Sequence, residues 1–384
     1  MMKEAVIVDA VRTPVARKKG LLQHVRSEDL AAIALKELAS RAGIDPAEIE
    51  DVIMGCVTQS GEQAGDIGRQ AALIAGYPQH VPGTTIDRQC GSGQQAIHFA
   101  AQAILAGDMD TVVAAGVENM TRVPMGSNFQ GAKPSPGLTE RFEIVHQGES
   151  AERIADRWGF LRAELDEYAA MSHDRALQAQ KDGRFDRDIV PVTVTLEDGS
   201  TETISSDTGP RPGTTKETLG ELKPVFRADG KIHAGNASQI SDGAGAVLVM
   251  SREKADQLGL KPRFRIHTRV VTGSDPTMML TGPIPATELA LKKSGLRLSD
   301  IDVFEVNEAF ASVPLAWLHE TGADPEKLNP NGGAIALGHP LGASGIRLMT
   351  TMMSELERTG GKYGLQTMCE GYGMANATII ERLD

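Results

Sequence analysis

The sequence predicts an α/β protein built from two copies of one unit, with a long segment inserted into the first. Three observations carry that prediction. Residues 41–54 and 293–306 share a pattern in which Gly43 aligns with Gly295, Ile44 with Leu296, Glu48 with Asp300 and Ile49 with Ile301, at an offset of 252 residues. Cys90-Gly-Ser-Gly93 and Gly342-Ala-Ser-Gly345 each open an apolar helical stretch, and Ser344 again follows Ser92 by 252 residues. Between the copies lies a stretch of different texture, rich in Pro, Gly, Thr and charge. Repeats of this size place one supersecondary plan twice in the chain.

The elements follow in order. Residues 5–8 are strand-like. In each copy, residues 41–54 and 293–306 read as the end of an amphipathic helix, a glycine stop, a turn and a strand. Val52-Ile-Met-Gly-Cys-Val57 reads as a strand containing Cys56, and residues 83–86 as another before the Cys90 turn. Helices are expected over 94–106, ending at Gly107, and over 346–358, ending at Gly360. The inserted segment carries Lys133-Pro-Ser-Pro-Gly137, Thr208-Gly-Pro-Arg-Pro-Gly-Thr-Thr215 and an amphipathic helix over 161–182. Long irregular excursions in compact domains usually cover a site. Residues 243–250 form a buried strand returning to the first unit, with 375–382 as its counterpart. The division is then 1–119 plus 238–262 for the first half, 120–237 for the insertion and 263–384 for the second half. Strands alternating with helices imply sheets covered on both faces, with ligands where strands end and loops begin.

Composition bounds the function. The 384 residues suffice for two or three domains, and the net charge of −12 without a basic block argues against nucleic-acid binding. No apolar run is long enough to span a membrane. Residues 1–10 lack the features of a signal peptide, so a cytoplasmic protein is expected. Glycine reaches 41 residues while aromatics are 4%, which suggests tight loops and close backbone approach to ligands. Three cysteines, Cys56, Cys90 and Cys369, exclude a disulfide framework and a four-cysteine zinc site.

Cys90 lies in Asp87-Arg-Gln-Cys-Gly-Ser-Gly93, at a strand-to-helix turn. There the helix dipole favours thiolate and lowers the pKa, and flanking N–H groups can bind an oxyanion. His339 lies in Asn331-Gly-Gly-Ala-Ile-Ala-Leu-Gly-His-Pro-Leu-Gly-Ala-Ser-Gly345, whose helix start is the counterpart of the Cys90 turn. The two turns can therefore face one cavity, with His339 as proton acceptor or carbonyl donor. Cys369 ends a buried strand before a glycine turn and is either an acid/base or a core thiol. Cys56 reads as structural. Asn307, after the strand 303–306, positions a water or substrate or caps a helix.

Together these residues resemble the thiolase family over essentially the whole chain. The matching pieces are Cys90-Gly-Ser-Gly93, Asn236-Ala-Ser238 with Asp242-Gly243, Asn307-Glu-Ala-Phe310, Gly332–Gly345 and Cys369-Glu-Gly371. The resemblance implies duplicated α/β halves forming a layered αβαβα core, with an inserted loop domain that binds coenzyme A. It implies thiolytic cleavage of 3-ketoacyl-CoA by CoA, or the reverse condensation. Cys90 would be acylated, Cys369 would be the acid/base, and His339 would activate Cys90. His339 with a water on Asn307 would form one oxyanion hole, and the N–H groups of Cys90 and Gly371 the other. His146, Arg211, Thr214, Lys216, Phe226, Ser238 and Phe310 become CoA or acyl contacts, although Arg211 and Lys216 are equally readable as solvated charge. No metal or prosthetic group is expected, since CoA is a substrate, and a homodimer or homotetramer is implied. Gln147 stands where the family commonly has Met, and Tyr372 where it usually has Gly. Both departures bear on acyl preference. A biosynthetic acetoacetyl-CoA thiolase is the nearest alternative. A fatty-acid or polyketide condensing enzyme is disfavoured by Cys369, and a lipid carrier by the full catalytic set.

Overall fold

The computed structural model describes residues 3–383. Met1 and Met2, part of the N-terminal stretch read above, and Asp384 lie outside the described residues. The strands are β1 (Ala5–Arg12), β2 (Ala16–Arg17), β3 (Asp51–Gly55), β4 (Gly83–Ile86), β5 (Thr111–Asn119), β6 (Val192–Thr195), β7 (Thr201–Ile204), β8 (Ser241–Ser251), β9 (Phe264–Gly273), β10 (Val303–Val306), β11 (Tyr363–Glu370) and β12 (Met374–Arg382).

The duplication is written into the sheet order, β10-β11-β12-β9-β1-β8-β5-β3-β4. From the centre outward, β1-β8-β5-β3 repeats as β9-β12-β11-β10, with β4 as an extra edge strand on the first half. The pairing repeats as well. β1 with β8 and β9 with β12 are antiparallel, as are β8 with β5 and β12 with β11, while β5 with β3 and β11 with β10 are parallel. The halves join through a short contact in which Val6 faces Arg265 and Ile7 faces Phe264.

Period-two alternation along the strands builds the layers. Ile7, Ile53, Val112 and Val249 face inward, where Phe264, Ile266, Val303 and Ile380 of the second half close over Ile97, Ala101, Ile346 and Met349. Val6, Val52, Val113 and Leu248, on the opposite face, pack beneath Leu30, Leu35 and Leu38 of the outer helix Ser27–Ala42. The second half is covered by helices Pro283–Ser294 and Ser312–Thr321. The helices Ser92–Ala106 and Leu341–Thr359 therefore form the middle layer, and they touch backbone to backbone. A Cβ at Gly345 would lie 2.1 Å from the Gln94 nitrogen, and one at Gly93 would lie 2.6 Å from the Gly342 carbonyl oxygen. Here glycine serves contact between the halves, where the sequence reading assigned it to ligand approach.

Three boundaries differ from expectation. The middle helices begin earlier, at Ser92 and Leu341 rather than 94 and 346. Cys56 lies just beyond β3, fully buried, instead of within it. The insertion is also less irregular than its composition suggests. Helices Gln147–Arg157 and Arg162–Lys181 bury Ile154, Leu165 and Tyr168 in the core of the second half. A fully buried ion pair anchors it to the first half, with Arg12 donating to both Asp207 oxygens at 2.7 and 2.9 Å.

Candidate active site

The chemistry-bearing residues come from both halves and the insertion. Cys90 precedes the helix Ser92–Ala106, held out of helical conformation by Gln89 at φ +48°. The Ser92 hydroxyl accepts from Arg88 N–H and donates to the Gln89 carbonyl, which fixes the turn. His339 precedes the other middle helix. Its N–H donates to the Gln239 carbonyl at 3.0 Å, and Gly338, at φ +103°, lies where a Cβ would strike the Ser241 hydroxyl. Cys369 is the penultimate residue of β11, and Gly371 follows in the three-residue turn to β12. Cys90, His339 and Cys369 line one cavity of about 190 Å³ together with His146, Phe226, Ser238 and Phe310.

The His339 ring has a defined tautomer. The Ser344 hydroxyl donates its one proton to the Pro340 carbonyl at 2.8 Å, so Nδ1, 2.6 Å from Ser344 Oγ, donates to it. Nε2 keeps its lone pair and accepts from Asn307 Nδ2 at 3.3 Å. Burial drives the imidazole pKa down to about 3, helped by the Arg347 charge, so the ring is neutral at pH 7. Asn307 is no helix cap, because the next helix begins at Ser312 with Ala311 before it. Its Oδ1 is buried and unpartnered, which leaves one acceptor for a ligand or water.

The thiols overturn one expectation. Burial pushes Cys90 well above its ordinary value, with Cys369 and Glu370 adding to the shift. Burial likewise pushes Cys369 up to about 12. Desolvation moves the Cys90 pKa upward, where the position before a helix is expected to lower it. Neither thiol is a free thiolate at neutral pH, so Cys90 needs a base. The N–H groups of Cys90 and Gly371 take no part in the turn hydrogen bonds of their segments, among the described residues.

The predicted binding residues divide into two groups. His146 caps the helix Gln147–Arg157, with Nδ1 accepting from Gly148 N–H at 3.1 Å. Its ring stacks on Phe226 at 5.1 Å, and Phe226 meets Phe310 edge-on at 6.1 Å. Ser238 N–H donates to the Ala309 carbonyl. These four belong to the cavity wall. Arg211, Thr214 and Lys216 do not. Arg211 is exposed, Thr214 donates to the Arg211 carbonyl, and Lys216 pairs with Glu167 at 3.4 Å on the surface.

Sequence reasoning missed two buried carboxylates that assemble the site. Glu308 accepts from Tyr168, Ser172, Asn329 and Ile335 N–H, clamping the glycine-rich loop to the insertion. It sits inside the Asn307–Phe310 motif, where its position between two assigned residues was the available signal. Glu118 accepts from the N–H groups of Val57, Thr58 and Gly342 and from Gln63. Asn236 is held by Asp166, which also meets His233 at 2.7 Å.

A second cavity, of about 400 Å³, continues past Cys90. Val57, Gln89, Met125, Phe129, Val145, Gln147, Leu341, Gly371 and Tyr372 are among its walls. Tyr372 adopts φ +63°, a conformation that costs a non-glycine residue on the order of 1–2 kcal/mol.

Residues 5–253 match the thiolase N-terminal domain and residues 260–382 the thiolase C-terminal domain. A relative named steroid 3-ketoacyl-CoA thiolase FadA6, from Mycobacterium tuberculosis, is 50% identical over 394 aligned residues, covering 100% of this chain and 95% of its own length. A Bacillus subtilis protein named 3-ketoacyl-CoA thiolase is 44% identical over 99% of this chain and 100% of its own length. The crystal structure of human mitochondrial 3-ketoacyl-CoA thiolase superposes with a TM-score of 0.92 at 38% identity, covering 100% of both chains. That of Bacillus anthracis acetyl-CoA acetyltransferase superposes with a TM-score of 0.92 at 40% identity, over 100% of this chain and 99% of that one. The repeated sheet order, the two thiols and the histidine gathered in one cavity, and these matches along the whole length agree: the chain belongs to the thiolase family.

Proposed function

We propose that this enzyme is an acyltransferase that cleaves 3-ketoacyl-CoA with CoA, releasing acetyl-CoA and an acyl-CoA shorter by two carbons. The observation that carries the reading is the convergence of Cys90, Cys369 and neutral His339 on one cavity. His339 Nε2 takes the Cys90 proton as sulfur attacks the 3-keto carbon. The bond between the second and third carbons then breaks, leaving the acyl group on Cys90. Cys369 donates its proton to the departing acetyl-CoA enolate. CoA then takes the acyl group as its thiolate, with its proton returned to the enzyme. The route needs one nucleophile, one acid and two sites for developing negative charge. Asn307 with His339 supplies one such site, and the Cys90 and Gly371 N–H groups supply the other.

CoA enters along His146, Phe226, Ser238 and Phe310. Arg211, exposed and outside every ion pair among the described residues, is available to a CoA phosphate. CoA is a substrate, and the reading requires no metal or prosthetic group. The reading includes a cytoplasmic homodimer or homotetramer. Among the described residues no helix is long and apolar enough to cross a membrane, and β4 leaves one sheet edge open to a second copy.

The degradative direction is preferred over condensation of two acetyl-CoA because the cavity beyond Cys90 is far larger than an acetyl group. A thiolysis assay across 3-ketoacyl-CoA chain lengths tests this. Turnover of longer substrates supports it, whereas turnover of acetoacetyl-CoA alone reverses the preference.

A further inference from the structure

Tyr372 combines three features that the reaction itself does not require. Its backbone sits at φ +63°, where glycine would be free of strain. The residue remains 42% exposed. It lines the larger cavity together with Cys90 and the apolar side chains Met125, Phe129, Val145 and Leu341. Strain retained at a site points to a role for the side chain that imposes it.

The size of the chamber bears on what that role is. At about 400 Å³ it is roughly twice the size of the cavity holding Cys369 and His339. A flexible linear chain is best held in a narrow channel, and it loses rotamer freedom on binding. A rigid ring loses little, fills a broad chamber, and presents a face to an aromatic wall.

We infer that Tyr372 is a specificity-determining residue whose ring packs on a cyclic, apolar acyl group, so that the preferred substrates are ring-bearing 3-ketoacyl-CoA thioesters. This rests on the thiolase reading above and names its substrate class. Gly371, two residues from Cys369, keeps the donor N–H, and the next residue selects what lies beyond the reacting carbonyl.

The test compares 3-cyclohexyl-3-oxopropanoyl-CoA with its carbon-matched linear counterpart, 3-oxononanoyl-CoA, in wild type, Tyr372→Gly and Tyr372→Phe. The wild type is expected to favour the cyclic substrate in kcat/KM. Tyr372→Gly should lower the cyclic-to-linear ratio about 3- to 10-fold, mainly through KM, the range expected for one lost aromatic contact. Tyr372→Phe should preserve the ratio, because the ring face is the operative part. Folding is not at risk, since glycine relieves the strained backbone. An equal loss on both substrates, or a ratio that rises in Tyr372→Gly, overturns the inference while leaving the thiolase reading intact. Absence of thiolysis of either substrate by the wild type overturns both.

Discussion

Glu118 and Glu370 occupy equivalent positions in the two halves, 252 residues apart at the ends of β5 and β11, yet their surroundings are opposite. Glu118 is saturated. Three backbone N–H groups and Gln63 donate to it, and one of those N–H groups belongs to Gly342, the counterpart of Cys90 at the same offset. Glu370 is equally buried, but neither of its oxygens has a partner. It lies so close to Gly91 that a Cβ there would stand 2.0 Å from its Oε1. Burial raises both carboxyl pKa values. Four donors oppose the rise at Glu118, whereas only the Arg88 charge opposes it at Glu370, which reaches about 8. One copy of the duplicated carboxyl pins the helix that follows His339. The other leaves the Cys90 N–H uncommitted, ready for a developing oxyanion. Duplication thus supplies the scaffold, and the chemistry arises where the copies diverge.

The largest expected break in this comparison is Glu118→Ala. It strands three buried N–H groups and frees the start of the His339 helix, so stability should fall by roughly 3–5 kcal/mol in urea unfolding. Thiolysis by the folded fraction should drop by about 100-fold or more as His339 loses its position. His339→Asn should also slow acylation by about 100-fold or more, since a base is required where burial keeps Cys90 protonated.

A smaller effect concerns Glu370. Its folded-state pKa, about 8, lies above the ordinary 4.5. The folded chain therefore binds the extra proton between those values. The contribution of Glu370 is fully present below about pH 4.5 and is lost as pH rises through about 8. Glu370→Gln should flatten this decline, by on the order of 2 kcal/mol between pH 5 and 8.5 in denaturation at each pH. An unchanged slope would remove Glu370 from the comparison. His339 has the opposite sign. Its folded pKa, about 3, lies below 6.5, so its contribution is present above pH 6.5 and is lost as pH falls toward 3. Replacement by Asn should soften that acid limb.

Much of this was legible in the sequence, because glycine and polar motifs at strand ends leave local signatures. The offset of 252 foretold the repeated sheet order, and β4 and β10 fall on the residues their patterns mark. The gathering of Cys90, His339 and Cys369 followed from the motifs in which they lie. Long-range effects left no such trace. The upward shift of the Cys90 pKa depends on burial among segments distant in the chain, such as Val57, Met120, Leu341 and Met368, which no local pattern encodes. Glu118 and Glu308 acquire their roles from N–H groups of distant segments. Arg211, Thr214 and Lys216 were placed by resemblance, and the positions of such surface residues depend on how the insertion folds back rather than on their own neighbourhood.

The central claim is that the nucleophile is Cys90, from the first half, and the acid/base is Cys369, from the second. Intact-protein mass spectrometry after incubation with acyl-CoA tests it most directly, on wild type, Cys90→Ala and Cys369→Ala. The account predicts one acyl adduct on wild type and on Cys369→Ala, and none on Cys90→Ala. An adduct of normal yield on Cys90→Ala would contradict it.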